Sequence, residues 1–136
     1  MKKTSVFSLA LCLLFIGCGT IYGPVKEAQA FADEKEDVIS QMAKTLAANP
    51  TEAGVGEARK IFEAKKDSLK AKREAIKSAP QGKNNDWYNQ LMRTEARHEE
   101  MLRDIGTKLS VACRECEAKW KALEKDFNEA AKYHQT

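Results

Sequence analysis

The sequence predicts an all-α protein, an antiparallel bundle of three helices with a long C-terminal helix. The first observation is composition: the 136 residues are 43% hydrophobic and 32% charged, with only 7 Gly and 3 Pro, which argues against a sandwich or a barrel. The second is that Pro24, Pro50 and Pro80 each separate two segments, since helix is disfavoured in the residue before a proline. The third is that apolar residues within each segment recur three or four apart, as on one helix face.

The first two predicted helices are of similar length. The first covers residues 25–48 and has one gap in its apolar face, at Lys35, before Asn49 and Pro50 end it. Its apolar face consists of Ala28, Phe31, Val38, Ile39, Met42 and Leu46. The second is predicted over 57–78, after a flexible Gly54–Gly56 stretch, and residues 80–85 form the clearest loop. Its apolar face consists of Ala58, Ile61, Phe62, Leu69 and Ile76.

The third segment begins near Asp86 and contains no proline up to its end. Its apolar stripe includes Trp87, Leu91, His98, Met101, Leu102, Ile105, Leu109, Cys113, Cys116, Trp120, Leu123, Phe127 and His134. One continuous helix over 86–133 would be about 72 Å long, against about 36 and 33 Å for the first two. Such a helix needs a partner in another subunit. The alternative is a break near Gly106, which gives a four-helix bundle.

The N-terminus has the pattern of a secretory signal. Lys2 and Lys3 precede an apolar run from Val6 to Ile16, which is too short for a transmembrane helix of about 20 residues. Cleavage after the A-x-A sequence that ends at Ala30 is one interpretation, and an uncleaved anchor is another. A third interpretation depends on the residues around Cys18.

The stretch Leu14-Phe15-Ile16-Gly17-Cys18 resembles the lipobox of bacterial lipoproteins. That resemblance implies cleavage before Cys18, a diacylglycerol on its sulfur and an acylated amino group, which together form a lasting bilayer anchor. Gly19 in place of an Asp retention signal implies an outer-membrane location facing the periplasm. The chain then divides into a signal peptide 1–17, a lipidated tether 18–24 and a helical domain 25–136. The resemblance covers only the first 18 residues and implies nothing about the helical domain.

Charge and motifs narrow the possible functions. Loss of residues 1–17 removes two of the 23 basic residues and leaves 21 against 20 acidic ones, so nucleic acid is not an expected partner. The sequence contains no phosphate-binding Gly loop, no HExxH, no GxSxG and no supported Ser/His/Asp set. We therefore predict no enzyme activity, no catalytic residue and no cofactor.

Cys113 and Cys116 form the sharpest local motif, a CxxC followed by Glu117 rather than by the His of a haem attachment site. Three interpretations stay open. The pair forms two small core residues or a local disulfide, because a secreted chain meets an oxidising compartment. It forms an intermolecular disulfide. Or it contributes to a metal site that a second subunit completes, since two thiols fall short of the four ligands of closed zinc sites.

The two histidines, His98 and His134, both fall on the apolar stripe. On one continuous helix they lie about 54 Å apart and cannot share a ligand. In a four-helix bundle, His134 could bind haem together with Met42 or Met101. The simpler interpretation is a partly buried His98 and a terminal His134.

The leading functional hypothesis is a lipid-anchored envelope protein that acts as a binding or scaffolding module through its long C-terminal helix, by self-association or with a protein partner. The alternative is a metal- or haem-binding bundle that uses Cys113 and Cys116, or His98 and His134. A weaker alternative is a periplasmic stress or chaperone-like protein.

Overall fold

The computed structural model of this protein describes residues 25–78 and 86–133. The predicted signal peptide, the lipidation site Cys18, the predicted loop 80–85 and His134 lie outside these residues. The described part contains four α-helices and no strand: α1 (Val25–Ala48), α2 (Glu52–Ser78), α3 (Asp86–Ala112) and α4 (Glu117–Ala131), with a 3₁₀ turn Arg114–Cys116 before α4. The predicted all-α class is confirmed.

The four helices pack as a bundle in which α1 and α4 each contact both α2 and α3. The short connection 49–51 makes α1 and α2 antiparallel. Helix α4 lies parallel to α2, because the pairs Lys119–Glu52 and Arg59–Asp126 follow in the same order along both helices. Helix α1 is likewise parallel to α3. Two antiparallel pairs therefore stand side by side.

The long helix predicted over 86–133 is not formed. Helix α3 ends at Ala112, Cys113 is extended with φ −149° and ψ 93°, and α4 then runs back along α3. The alternative, a four-helix bundle, has the number of helices that the described residues form, but its break lies at Cys113 and not near Gly106, which lies inside α3. The disulfide between Cys113 and Cys116 closes the turn. Helical periodicity could not reveal this break, because the apolar residues keep their helical spacing across it.

The break also removes the reason to expect self-association, which was an apolar stripe too long for the other two helices to cover. The apolar stripe of α3 and α4 is covered within the chain, and Leu102, Leu123 and Phe127 are at most 1% exposed. The rings of Phe62 on α2 and Phe127 on α4 meet edge to face, with centroids 5.5 Å apart. At about 1.5 Å per residue, α1 is about 36 Å long, α2 and α3 about 40 Å and α4 about 23 Å. Among the described residues, no helix extends far beyond its neighbours with an uncovered apolar face, so the chain covers its own core.

Helix α2 starts at Glu52, five residues earlier than predicted. The hydroxyl of Thr51 accepts a hydrogen bond from the Gly54 amide at 3.2 Å, which is the geometry of a helix N-cap. A Cβ on Gly54 would lie 1.8 Å from the carbonyl oxygen of Asn49. Gly54 is therefore needed for close approach of the two chain segments, and the Gly54–Gly56 stretch is helix rather than a flexible linker.

Candidate functional site: an interhelical groove beside a buried ion pair

A polar groove of about 460 Å³ lies between α3 and α4. It is lined by Glu99, Leu102, Arg103, Gly106, Thr107, Ser110, Glu117, Trp120, Lys121, Glu124, Asn128 and Lys132. The groove lies where side chains of α3 and α4 face each other, and it includes the apolar Leu102 and Trp120 among its polar residues. Two other cavities among the described residues are smaller, at about 230 and 30 Å³.

The indole of Trp120 packs against Gly106 at one side of this groove. Trp120 is 3% exposed, and its Nε1–H has no hydrogen-bond partner among the described residues. A Cβ on Gly106 would lie 2.8 Å from Nε1 and 3.2 Å from Cδ1 of the indole. The glycine that the sequence marked as a possible helix break therefore makes room for a tryptophan from the facing helix.

We expect Gly106→Ala to lower the free energy of unfolding by about 1–2 kcal/mol. The clash with the indole costs about 1–3 kcal/mol, and the better helix propensity of alanine returns at most about 1 kcal/mol. Urea unfolding monitored by tryptophan fluorescence measures the free energy of unfolding. The fluorescence of the folded protein reports whether the Trp120 indole has been displaced. A variant as stable as the native protein, with unchanged fluorescence, would show that the contact with Trp120 is not close.

The charged residues of the groove are balanced, with three acidic and three basic side chains. Lys121 pairs with Glu117 at 2.8 Å on α4, and Lys132 pairs with Glu99 across the groove. The hydrogen bond from Lys132 holds the pKa of Glu99 below its ordinary value. Arg103 and Glu124 contribute the remaining charges on facing helices. The groove thus offers both signs of charge together with hydroxyl and amide groups.

A buried ion pair joins α1 to α3. Lys35 Nζ lies 2.8 Å from Glu95 Oε1, and the two side chains are only 2% and 8% exposed. The backbone N–H of Tyr133 donates to Glu95 Oε2 at 3.0 Å. Burial lowers the pKa of Lys35, and the charge of Glu95 opposes that shift. Since Lys35 also interacts electrostatically with Glu99 and Lys132, the buried pair is coupled to the groove.

His98 on α3 is fully buried next to this pair. Its Nε2 lies 3.3 Å from Glu36 Oε2, whereas its Nδ1 has no hydrogen-bond partner among the described residues. Burial lowers the pKa of His98, although the hydrogen bond with Glu36 acts in the opposite direction. We infer a neutral imidazole that donates Nε2–H to Glu36, because protonation would place a second, unsatisfied N–H on Nδ1.

This arrangement predicts that the free energy of unfolding decreases as the pH falls below about 6.5. The folded state lowers the pKa of His98 below 6.5, so the unfolded chain takes up its proton first as the pH falls. The loss reaches at most about 1.4 kcal/mol per pH unit for one proton. His98→Gln should flatten this dependence, because its amide can still donate to Glu36. Equal slopes for both proteins in urea unfolding would contradict the assignment.

The structure brings two of the predicted site residues together, Cys113 and Cys116, and gives neither of them a metal-binding role. Cys113 and Cys116 are joined in a disulfide, so in this state their sulfurs offer no thiolate to a metal. Among the described residues there is no group of three or more His, Cys, Asp or Glu that could hold a metal ion. The polar partner of His98 is Glu36. His134, the other predicted ligand, lies outside the described residues.

The sequence analysis missed the ion pair between Lys35 and Glu95, although a signal was present. Lys35 falls four residues from Phe31 and from Ile39 on the apolar face of α1. Glu95 stands four residues after Leu91 and three before His98 on the stripe of α3. Opposite charges at core positions of two helices are the pattern of a buried pair, since an isolated buried charge is too costly.

Across residues 25–78 and 86–133, no helix combines the length and apolar character needed to span a membrane. Comparisons of the chain with protein-family models, with curated proteins and with solved structures find no match.

Proposed function

We propose that this protein is a lipid-anchored protein of the bacterial envelope whose helical bundle binds a polypeptide partner in the groove between α3 and α4. The groove is the observation that carries this proposal. It replaces the long helix as the binding surface, because the apolar stripe of that predicted helix is used up in the core of the bundle.

The balance of charge in the groove favours a polypeptide over a polyanion. A nucleic acid or an anionic lipid surface is recognised by an excess of basic groups, whereas this groove contains three acidic and three basic side chains. A polypeptide with both signs of charge complements such a surface, and its backbone groups can bond to Asn128 and to the serine and threonine oxygens. Arg103 and Glu124 are the side chains best placed to pair with it.

Two features support the envelope location. The lipobox-like stretch ending at Cys18 implies export and acylation, with the bilayer as a partner through the acyl chains. The disulfide between Cys113 and Cys116 fits an oxidising compartment such as the periplasm. The absence of other cysteines in the chain after Cys18 leaves no unpaired thiol in the helical domain. We place the anchor in the outer membrane, with the bundle facing the periplasm.

A photo-crosslinking amino acid in place of Thr107 tests the groove as a binding surface in bacterial cells that make the protein. Thr107 is exposed and lines the groove, and Lys70, exposed on α2, is the matched control position. We expect adducts that contain a second polypeptide from position 107 only, and at least a tenfold loss of them on Arg103→Glu. Adducts with glycan alone, or equal yields at both positions, would refute a polypeptide site.

Intact mass spectrometry of the protein from bacterial membranes tests the anchor independently. We expect a chain that begins at Cys18 and carries three acyl chains. Cys18→Ala should leave the signal uncleaved at this position and the protein without acyl mass. A native chain that begins at residue 31 without lipid would refute the anchor and leave the groove proposal unaffected.

A further inference from the structure

We infer that the turn between α3 and α4 is a redox-controlled hinge, and that the reduced protein exchanges α4 with a second copy of the same chain. In the reduced state α3 and α4 join as one helix, and α4 of each copy packs on α2 of the other. This inference concerns assembly and goes beyond the binding proposed for the groove.

The hinge requires a change in very little backbone. Cys113 is extended, with φ −149° and ψ 93°. Cys116 already has helical angles of −75° and −17°, and Glu117 has −57° and −46°. Residues 107–131 contain neither Gly nor Pro, the two residues that most oppose a helix. Rotation of Cys113 into the helical region would therefore let one helix run from α3 into α4.

The apolar pattern also suits a continuous helix. Leu109, Cys113, Cys116 and Trp120 are spaced by four, three and four residues, which places them on one face of an α-helix. A surface turn normally interrupts such a pattern with polar and turn-forming residues. Residues 113–116 are of types that occur in the middle of an α-helix rather than in a turn.

The disulfide is what excludes the continuous helix. Side chains three residues apart on a helix have Cβ atoms about 5–6 Å apart, but a disulfide requires Cβ atoms about 3.5–4.5 Å apart. The bond between Cys113 and Cys116 thus holds the turn closed. A dithiol reductant opens it by attack on the Cys113 sulfur, which is the less buried of the two. The dithiol becomes a disulfide as it gives up two electrons and two protons, and the protein gains two thiols.

The second copy is the fitting partner because α4 must stay covered when the hinge straightens. Trp120, Leu123 and Phe127 are at most 3% exposed, and a straight helix carries them away from their own α2. An identical chain supplies the same contacts, including the Arg59–Asp126 pair at 2.7 Å. Exchange of an identical element between copies needs no new complementary surface.

Zero-length carbodiimide crosslinking of a mixture of ¹⁴N and ¹⁵N chains tests the exchange. The full chain is incubated at high concentration with or without dithiothreitol. Lys119 and Glu52 lie 3.3 Å apart between α4 and α2, and Lys72 and Glu34 lie 2.6 Å apart between α2 and α1. After reduction we expect about half of the Lys119–Glu52 crosslinks to join one label to the other. The Lys72–Glu34 crosslinks should stay within one chain.

The double variant Cys113→Ser with Cys116→Ser gives the same state without a reductant, and light scattering should show twice the monomer mass. Addition of Arg114→Pro to this variant is the matched control. Proline suits the start of the 3₁₀ turn and the extended residue before it, but it opposes a continuous helix. We expect it to restore the monomer. Monomeric reduced protein with Lys119–Glu52 crosslinks only within chains, or a dimer that persists with Arg114→Pro, would overturn the inference.

Discussion

Replacement of Lys35 by Met is expected to lower the free energy of unfolding by about 3–5 kcal/mol. The substitution keeps an unbranched apolar side chain between the rings of Phe31 and Phe127, which lie about 6 Å from the Lys35 amine. It leaves Glu95, with its side chain only 8% exposed, as a buried carboxylate without a counter-charge, and removal of one partner of a buried pair is costly for that reason. Urea unfolding measured by circular dichroism gives the value.

The double variant Lys35→Met with Glu95→Gln separates this cost from lost packing. The amide oxygen of Gln can still accept from Tyr133 N–H, as Glu95 Oε2 does at 3.0 Å, and no charge remains buried. We expect the double variant to recover most of the lost stability, since buried pairs and neutral replacements are often close in energy. Lys108→Met removes an exposed pair with Asp104 and should change little. A fully stable Lys35→Met protein would show that the pair is open to water.

Substitution of Gly54 by Ala is expected to destabilise the protein by about 3 kcal/mol or more, the upper range of overpacking effects. The added Cβ would lie 1.8 Å from the Asn49 carbonyl oxygen, and this oxygen belongs to the backbone and cannot rotate away. The connection between α1 and α2 must therefore shift, together with the N-cap that Thr51 provides. Thermal and urea unfolding both measure the loss.

Gly56→Ala is the matched control, two residues further along α2. A Cβ on Gly56 meets nothing within 4 Å, so the substitution should raise stability by up to about 1 kcal/mol through helix propensity. Opposite signs for the two glycines are the expected result. Equal, small effects at both positions would mean that the connection between α1 and α2 is looser than the structure shows.

The sequence predicted well where apolar periodicity and breaking residues agree. The predicted limits of the first helix, residues 25–48, match α1, because Asn49 and Pro50 end the helix where its apolar face ends. Phe31, Ile39 and Met42 are buried as predicted. In this segment the local preference and the tertiary contacts favour the same structure.

The features that the sequence did not reveal depend on contacts between distant residues. The apolar residues keep their helical spacing across the turn at Cys113, so the periodicity of the sequence does not reveal the turn. The structure shows it through the disulfide between Cys113 and Cys116. Gly54 looks like a flexible residue until the approach of Asn49 is known. The groove depends on how α3 and α4 face each other after the turn at Cys113, which no local pattern encodes.

The parallel arrangement of α1 and α3 determines where the disulfide lies in the bundle. The chain enters the bundle at Val25, directly after the proposed tether, and α1 rises about 36 Å to the end where Leu46 and Leu109 line one cavity. Cys113 follows at that end. With the anchor that we propose at Cys18, the disulfide of the hinge would lie at the end of the bundle opposite Val25, and the proposal therefore implies that soluble rather than membrane-embedded oxidoreductases reach it.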